Sequence, residues 1–73
     1  MGFYYVYQHK EKGLTVEKHL VVSDAYPDRE NANRARSMHR LNDSGCVFSE
    51  IFEASSPEEV LLKVHPERMS HYI

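Results

Sequence analysis

The segment Phe3-Tyr4-Tyr5-Val6-Tyr7 is aromatic or β-branched at every position, a composition that suits a pleated, packed surface. Read as a strand from Phe3 to His9, it is apolar on both faces. Phe3, Tyr5 and Tyr7 share one, and Tyr4 and Val6 the other. Such a strand belongs in the middle of a sheet, with a layer on each side. The chain has 73 residues, which makes a single domain, 1–73, with no room for a second. A domain of this size buries only about 60% of its unfolded surface and leans on disulfides, metals, regular packing or self-association. Cys46 is the one cysteine, so no intrachain disulfide forms. The fold therefore turns on what covers the two faces of this strand.

Lys10-Glu11-Lys12-Gly13 reads as a hairpin turn and Leu14 to Val22 as a second strand. Leu14, Val16, Leu20 and Val22 lie on one face, and Thr15, Glu17, His19 and Val21 on the other. Turns of two or four residues share a parity that puts Phe3, Tyr5 and Tyr7 on the Leu14–Val22 side. Ser23 to Asp28 is a loop. Pro27 suits the first turn of a helix, and Asp28 and Glu30 complement its positive end. The helix runs to about Asn42, where Gly45 offers a left-handed cap. Ala32, Ala35, Met38 and His39 are expected toward the core with Leu41 at the edge, and Arg29, Asn33, Arg36 and Arg40 opposite. Cys46 to Ala54 is a third strand, with Phe48 and Phe52 on one face and Val47 and Ile51 on the other. Ser56-Pro57-Glu58-Glu59 carries an N-cap, a proline at the first helical position and a capping box. The short helix that follows presents Val60, Leu61 and Val64 and ends before Pro66.

This order predicts an α+β fold, ββαβα. The crossover helix is right-handed and brings the third strand beside the first. The result is a three-stranded antiparallel sheet of order 2-1-3 packed on one main helix, with a short C-terminal helix. The main helix covers one face. The other, which carries Tyr4, Val6 and His19, needs the C-terminal helix, a second copy or a partner. Since that helix has only about two turns, self-association through Tyr4, Val6 and His19 is expected, making the protein a homo-oligomer.

Nine Lys and Arg against 11 Asp and Glu give a net charge of −2, which excludes a globally basic nucleic-acid binder but not a local basic patch. No apolar run approaches the roughly 18 residues of a membrane span, so no membrane partner is expected. The start, Met1-Gly2-Phe3-Tyr4-Tyr5, lacks the basic-then-apolar pattern of a signal peptide, and Val6 stands where a myristoylation motif has Ser or Thr. A cytoplasmic location is the expectation.

Catalysis finds little support. No Gly-x-Ser-x-Gly occurs, Cys46 follows a helix C-terminus where the dipole disfavours a thiolate, and so short a chain hardly walls a pocket of roughly 300–1,000 Å³. A non-enzymatic protein without catalytic residues is expected. The five histidines, His9, His19, His39, His65 and His71, lack the close pairing of zinc ligands. Neither a metal nor a cofactor is expected, and His39 reads as a boundary residue.

The partner- or anion-binding residues are expected to be Arg29, Asn33, Arg36 and Arg40, because guanidinium forks bind carboxylate or phosphate in bidentate fashion. The plain alternative is a solvated helix face balanced by Glu30 and Asp43. Exposed sheet aromatics can also stack bases, but Gln8, Glu17 and Glu53 weaken the positive potential this requires, so nucleic acid is the less favoured partner. Three functions follow. The first is a binding protein that occludes a protein or nucleic-acid-binding surface of another molecule. The second is an oligomeric sponge for a phosphorylated or nucleotide-like small molecule, and the third an oligomeric enzyme with a site shared between subunits.

Pro27 to Asn42, with Glu30-Asn31-Ala32, Ala35 and Leu41-Asn42 before a turn, resembles the helix of small phage and prophage α+β proteins, in which a hairpin precedes a helix ending in Leu-Asn. The resemblance implies an accessory protein that binds and blocks or modifies a host machine, an inhibitor in effect. It covers half the chain, carries no catalytic motif and transfers no functional residue.

Overall fold

The computed structural model describes residues 1–9, 20–43 and 45–65. The aromatic segment forms two short strands, β1 (Gly2–Tyr4) and β2 (Val6–His9), interrupted at Tyr5. They are followed by β3 (Val21–Val22), α1 (Arg29–Asn42), β4 (Cys46–Phe48), β5 (Phe52–Ala54) and α2 (Pro57–Lys63). All strand pairing is antiparallel: β1 with β5, and β2 between β3 and β4. The α+β class thus stands. The expected continuous three-stranded sheet of order 2-1-3 does not, since the ladder divides into a two-stranded and a three-stranded sheet. The turn at Lys10–Gly13, residues 14–19 of the second strand and the tail beyond His65 lie outside the described residues.

The division has a structural cause on each side of Tyr5. The central segment advances three residues from Tyr7 to Tyr4 while its partner advances four, from Phe48 to Phe52. On the other flank it advances three from Val6 to Phe3 while its partner advances four, from Val22 to Tyr26. Each flank therefore holds one extra residue, a β-bulge. A serine opens both bulges. The Tyr5 N–H donates to Ser23 Oγ at 2.9 Å and the Ser23 N–H returns to the Tyr5 carbonyl at 2.8 Å. The Val6 N–H donates to Ser49 Oγ at 2.8 Å and the Ser49 N–H returns to the Val6 carbonyl at 2.8 Å. Each hydroxyl donates its own proton to the next carbonyl along its strand, Asp24 or Glu50. The interrupted ladder thus leaves neither Tyr5 nor Val6 with an unmet N–H, as burial requires.

The bulges set which residues share a face. One core holds Tyr4, Val6, Ala54, Val60 and Val64, with Leu20, Val22, Val47 and Phe52 against it. The other holds Tyr5, Ala32, Cys46, Phe48 and Ile51, with Phe3, Tyr7, Tyr26 and Ala35 against it. Val22 therefore packs with Tyr4 and Val6 rather than with Phe3, Tyr5 and Tyr7, because the pairing of Tyr7 with Val21 has the opposite parity to a two- or four-residue turn. Likewise Phe48 and Phe52 fall on opposite faces, since the extra residue between them inverts the alternation.

Each core has its own helix. Asp28 caps α1 by accepting from the Asn31 N–H at 2.7 Å, so Pro27 precedes the cap instead of entering the first turn. At the far end the Asp43 N–H closes on the His39 carbonyl at 2.8 Å, and the Gly45 N–H donates to Asp43 Oδ1 at 3.2 Å. An aspartate thus ends α1, with no left-handed glycine. Ala32 is fully buried, while Met38 and Leu41 are exposed. With 3.6 residues per turn, Arg36 stands about 40° from Ala32 and Leu41 about 180° from it. The arginines hence flank the buried stripe instead of opposing it. Ser56 caps α2 as expected, accepting from the Glu59 N–H at 3.3 Å, and the Glu59 carboxylate accepts from Ser55 N–H at 3.3 Å. Val60 and Val64 of this segment bury Tyr4 and Val6; Leu61 and Leu62 are exposed. No helix among the described residues is long and apolar enough to cross a membrane.

Candidate functional site

The arginine row lies along α1 beside the outer segment between β4 and β5. Arg29 Nη1 donates to the Ile51 carbonyl at 3.2 Å, and its guanidinium stands 5.5 Å from the Phe3 ring centre, within cation–π range. Arg36 Nη1 donates to the Ser49 carbonyl at 2.9 Å and its Nη2 to Asn33 Oδ1 at 2.6 Å. These carbonyls are open because the bulge takes residues 49–51 out of the ladder. Two of the arginines therefore clamp the helix to an irregular sheet edge, a role the sequence pattern alone does not reveal.

Arg40 differs. Its Nη1 is buried and has no hydrogen-bond partner. Burial, and then the charge of Arg40, lower the pKa of Arg36 from its ordinary value, so two cations sit close together. The ion pairs Arg34–Glu30 at 3.2 Å and Lys63–Glu59 at 3.5 Å lie elsewhere and bring no carboxylate to Arg29, Arg36 or Arg40. Asp43 Oδ2 accepts from Cys46 Sγ at 3.3 Å.

Tyr4 and Val6 are 5% and 0% exposed within the single chain. The α2 side chains that cover them close the face assigned to self-association, so these two residues present no surface to a second copy. His19, the third residue of that face, lies outside the described residues.

A second grouping forms where α1 ends. His39, Asp43 and Cys46 bring one donor atom each to within 4.8 Å of one another, the one such trio among the described residues. Helical spacing stacks His39 and Asp43 at i and i+4, and the start of β4 returns Cys46 beneath them. The Tyr5 hydroxyl and His39 Nδ1 share a hydrogen bond of 2.9 Å. The His39 ring sits edge-on to Tyr7 and Phe48, with centres 4.4 and 5.0 Å apart. Burial and then the hydrogen bond to Asp43 push the Cys46 thiol up to about 11, and burial pushes the Tyr5 hydroxyl up to about 12. A search for paired histidines passes over this trio; the signal was a helical His-x-x-x-Asp followed by Cys across the turn.

Fold and site together define a small α+β domain with a basic helix flank and a separate nitrogen, oxygen and sulfur cluster. No family model, curated protein or solved structure matches the chain.

Proposed function

We propose that this chain is a non-enzymatic binding protein that docks its α1 arginine flank onto an acidic surface of another protein and occludes it, as an inhibitor of phage type would. The observation that carries this is Arg40. A guanidinium nitrogen removed from water without a partner is costly, and Arg36 beside it raises the cost. A carboxylate from outside would lie against the accessible side of this pair of cations and offset their charge. Asn33 and the Ser49 carbonyl already hold Arg36 in place, so little side-chain freedom is lost on docking. The net charge of −2 confines attraction for acidic partners to this flank.

Affinity capture from the source organism with wild-type and Arg40→Gln baits tests the reading. A partner retained by the wild type, released as salt rises and lost from the variant is the expected result. An identical partner set on both baits would sink it. A small phosphorylated molecule retained in native mass spectrometry of the wild type would replace the protein partner with a ligand at the same guanidiniums.

A further inference from the structure

We infer that His39, Asp43 and Cys46 form a binding site for a divalent transition cation of the zinc class. The three donors are an imidazole, a carboxylate and a thiolate, the set from which zinc sites are built. With metal–sulfur bonds of about 2.3 Å and metal–nitrogen or –oxygen bonds of about 2.0–2.1 Å, tetrahedral donors stand about 3.3–3.6 Å apart. Cys46 Sγ and Asp43 Oδ2 are already 3.3 Å apart, and all three donors fall within 4.8 Å, so side-chain rotation of about an ångström closes the set. Thiolate and carboxylate together neutralise a dication, which suits a half-buried position.

The surroundings supply the usual second layer of such a site. Metal-bound histidines give their other ring nitrogen to an oxygen that fixes the tautomer. Tyr5, buried and 2.9 Å from Nδ1, is that oxygen, and it leaves Nε2 for the cation. Tyr7 and Phe48 restrain the ring plane. On binding, Cys46 loses its thiol proton to water, the Sγ–H···Oδ2 bond is broken and a metal–sulfur bond takes its place. Three protein donors fill three of four tetrahedral positions, and water completes the sphere.

The test is spectroscopic and uses the whole chain freed of metal by a chelator. Titration with Co²⁺ is expected to bind one equivalent. It gives the near-ultraviolet thiolate-to-cobalt charge-transfer band and the strong visible bands of tetrahedral cobalt, and Zn²⁺ bleaches both. Cys46→Ser, a near-isosteric change, abolishes the charge-transfer band, and His39→Gln and Asp43→Asn weaken binding. Tyr5→Phe keeps the band but lowers affinity by roughly 10–100-fold, as for other outer-layer partners. Folded wild-type protein without a charge-transfer band overturns the proposal and needs no variant. So does stoichiometric binding unchanged in Cys46→Ser, which assigns the cation to histidines elsewhere. Neither outcome bears on the anion-docking reading, which concerns different side chains.

Discussion

Ser49 performs three tasks with one hydroxyl and one amide. It accepts from Val6, donates to Glu50 and returns its N–H to Val6, while 2% exposed. Ser49→Ala leaves the buried Val6 N–H unmet and is expected to cost about 1–3 kcal/mol, read by chemical denaturation with circular dichroism. Ser23 plays the same part on the other flank but is half-buried. Ser23→Ala should cost less, because water can replace its hydroxyl. Arg40 is the opposite case. Arg40→Met keeps the packing of the stem and removes a charge with no partner, so the variant should be more stable than the wild type by roughly 1 kcal/mol while losing its partner. A destabilised Arg40→Met would show that the guanidinium is satisfied in solution.

At the scale of elements, the helices follow local rules and their ends test them. Asp28→Ala removes the side-chain acceptor for Asn31 and should lower stability by about 1 kcal/mol. On α2, Ser55's amide and hydroxyl together hold the Glu59 carboxyl below the usual range. Its contribution is present above the unfolded value and is lost as pH falls through the folded one, so α2 should loosen first on the acid side. Much of this was legible in the sequence: the α2 cap at Ser56, the end of α1 at Asn42 and the two-faced aromatic segment. The facing of Phe48 against Phe52, and of Val22 against Tyr4, was not. Alternation marks which residues are apolar but not where an extra residue reverses them, and that depends on hydroxyls bridging strands far apart in the chain. The arginine types were readable, but the carbonyls that hold Arg29 and Arg36 exist only because a bulge exposes them. The His39, Asp43 and Cys46 trio escaped for a related reason, since only folding the chain back after α1 brings the cysteine under the helix.

For the whole molecule, one chain supplies a layer to each side of its aromatic centre, so the motive for a second copy to cover Tyr4 and Val6 falls away. Alkali should probe the core that holds both Tyr5 and Cys46. In metal-free protein, Cys46 and Tyr5 are neutral when folded, with values near 11 and 12 against 9.0 and 10.0 without the fold. The folded chain thus keeps protons that the unfolded chain has released. Stability is full below about pH 9 and falls as pH rises through 11 and 12. Melting temperature followed in a chelator across this range should decline, and the decline should shrink in Cys46→Ala. A flat profile would place both groups in water.

The paired serines also make this protein sensitive to its own count of residues. Excising Glu50 alone would let the edge strand run straight past Tyr5. Everything beyond it would then turn over, delivering Val60 and Val64 to the wrong side and stripping Tyr4 and Val6 bare. Substituting Glu50 changes one exposed side chain and should be borne easily. In libraries of single-codon losses and replacements, position 50 should therefore tolerate spelling changes yet reject deletion.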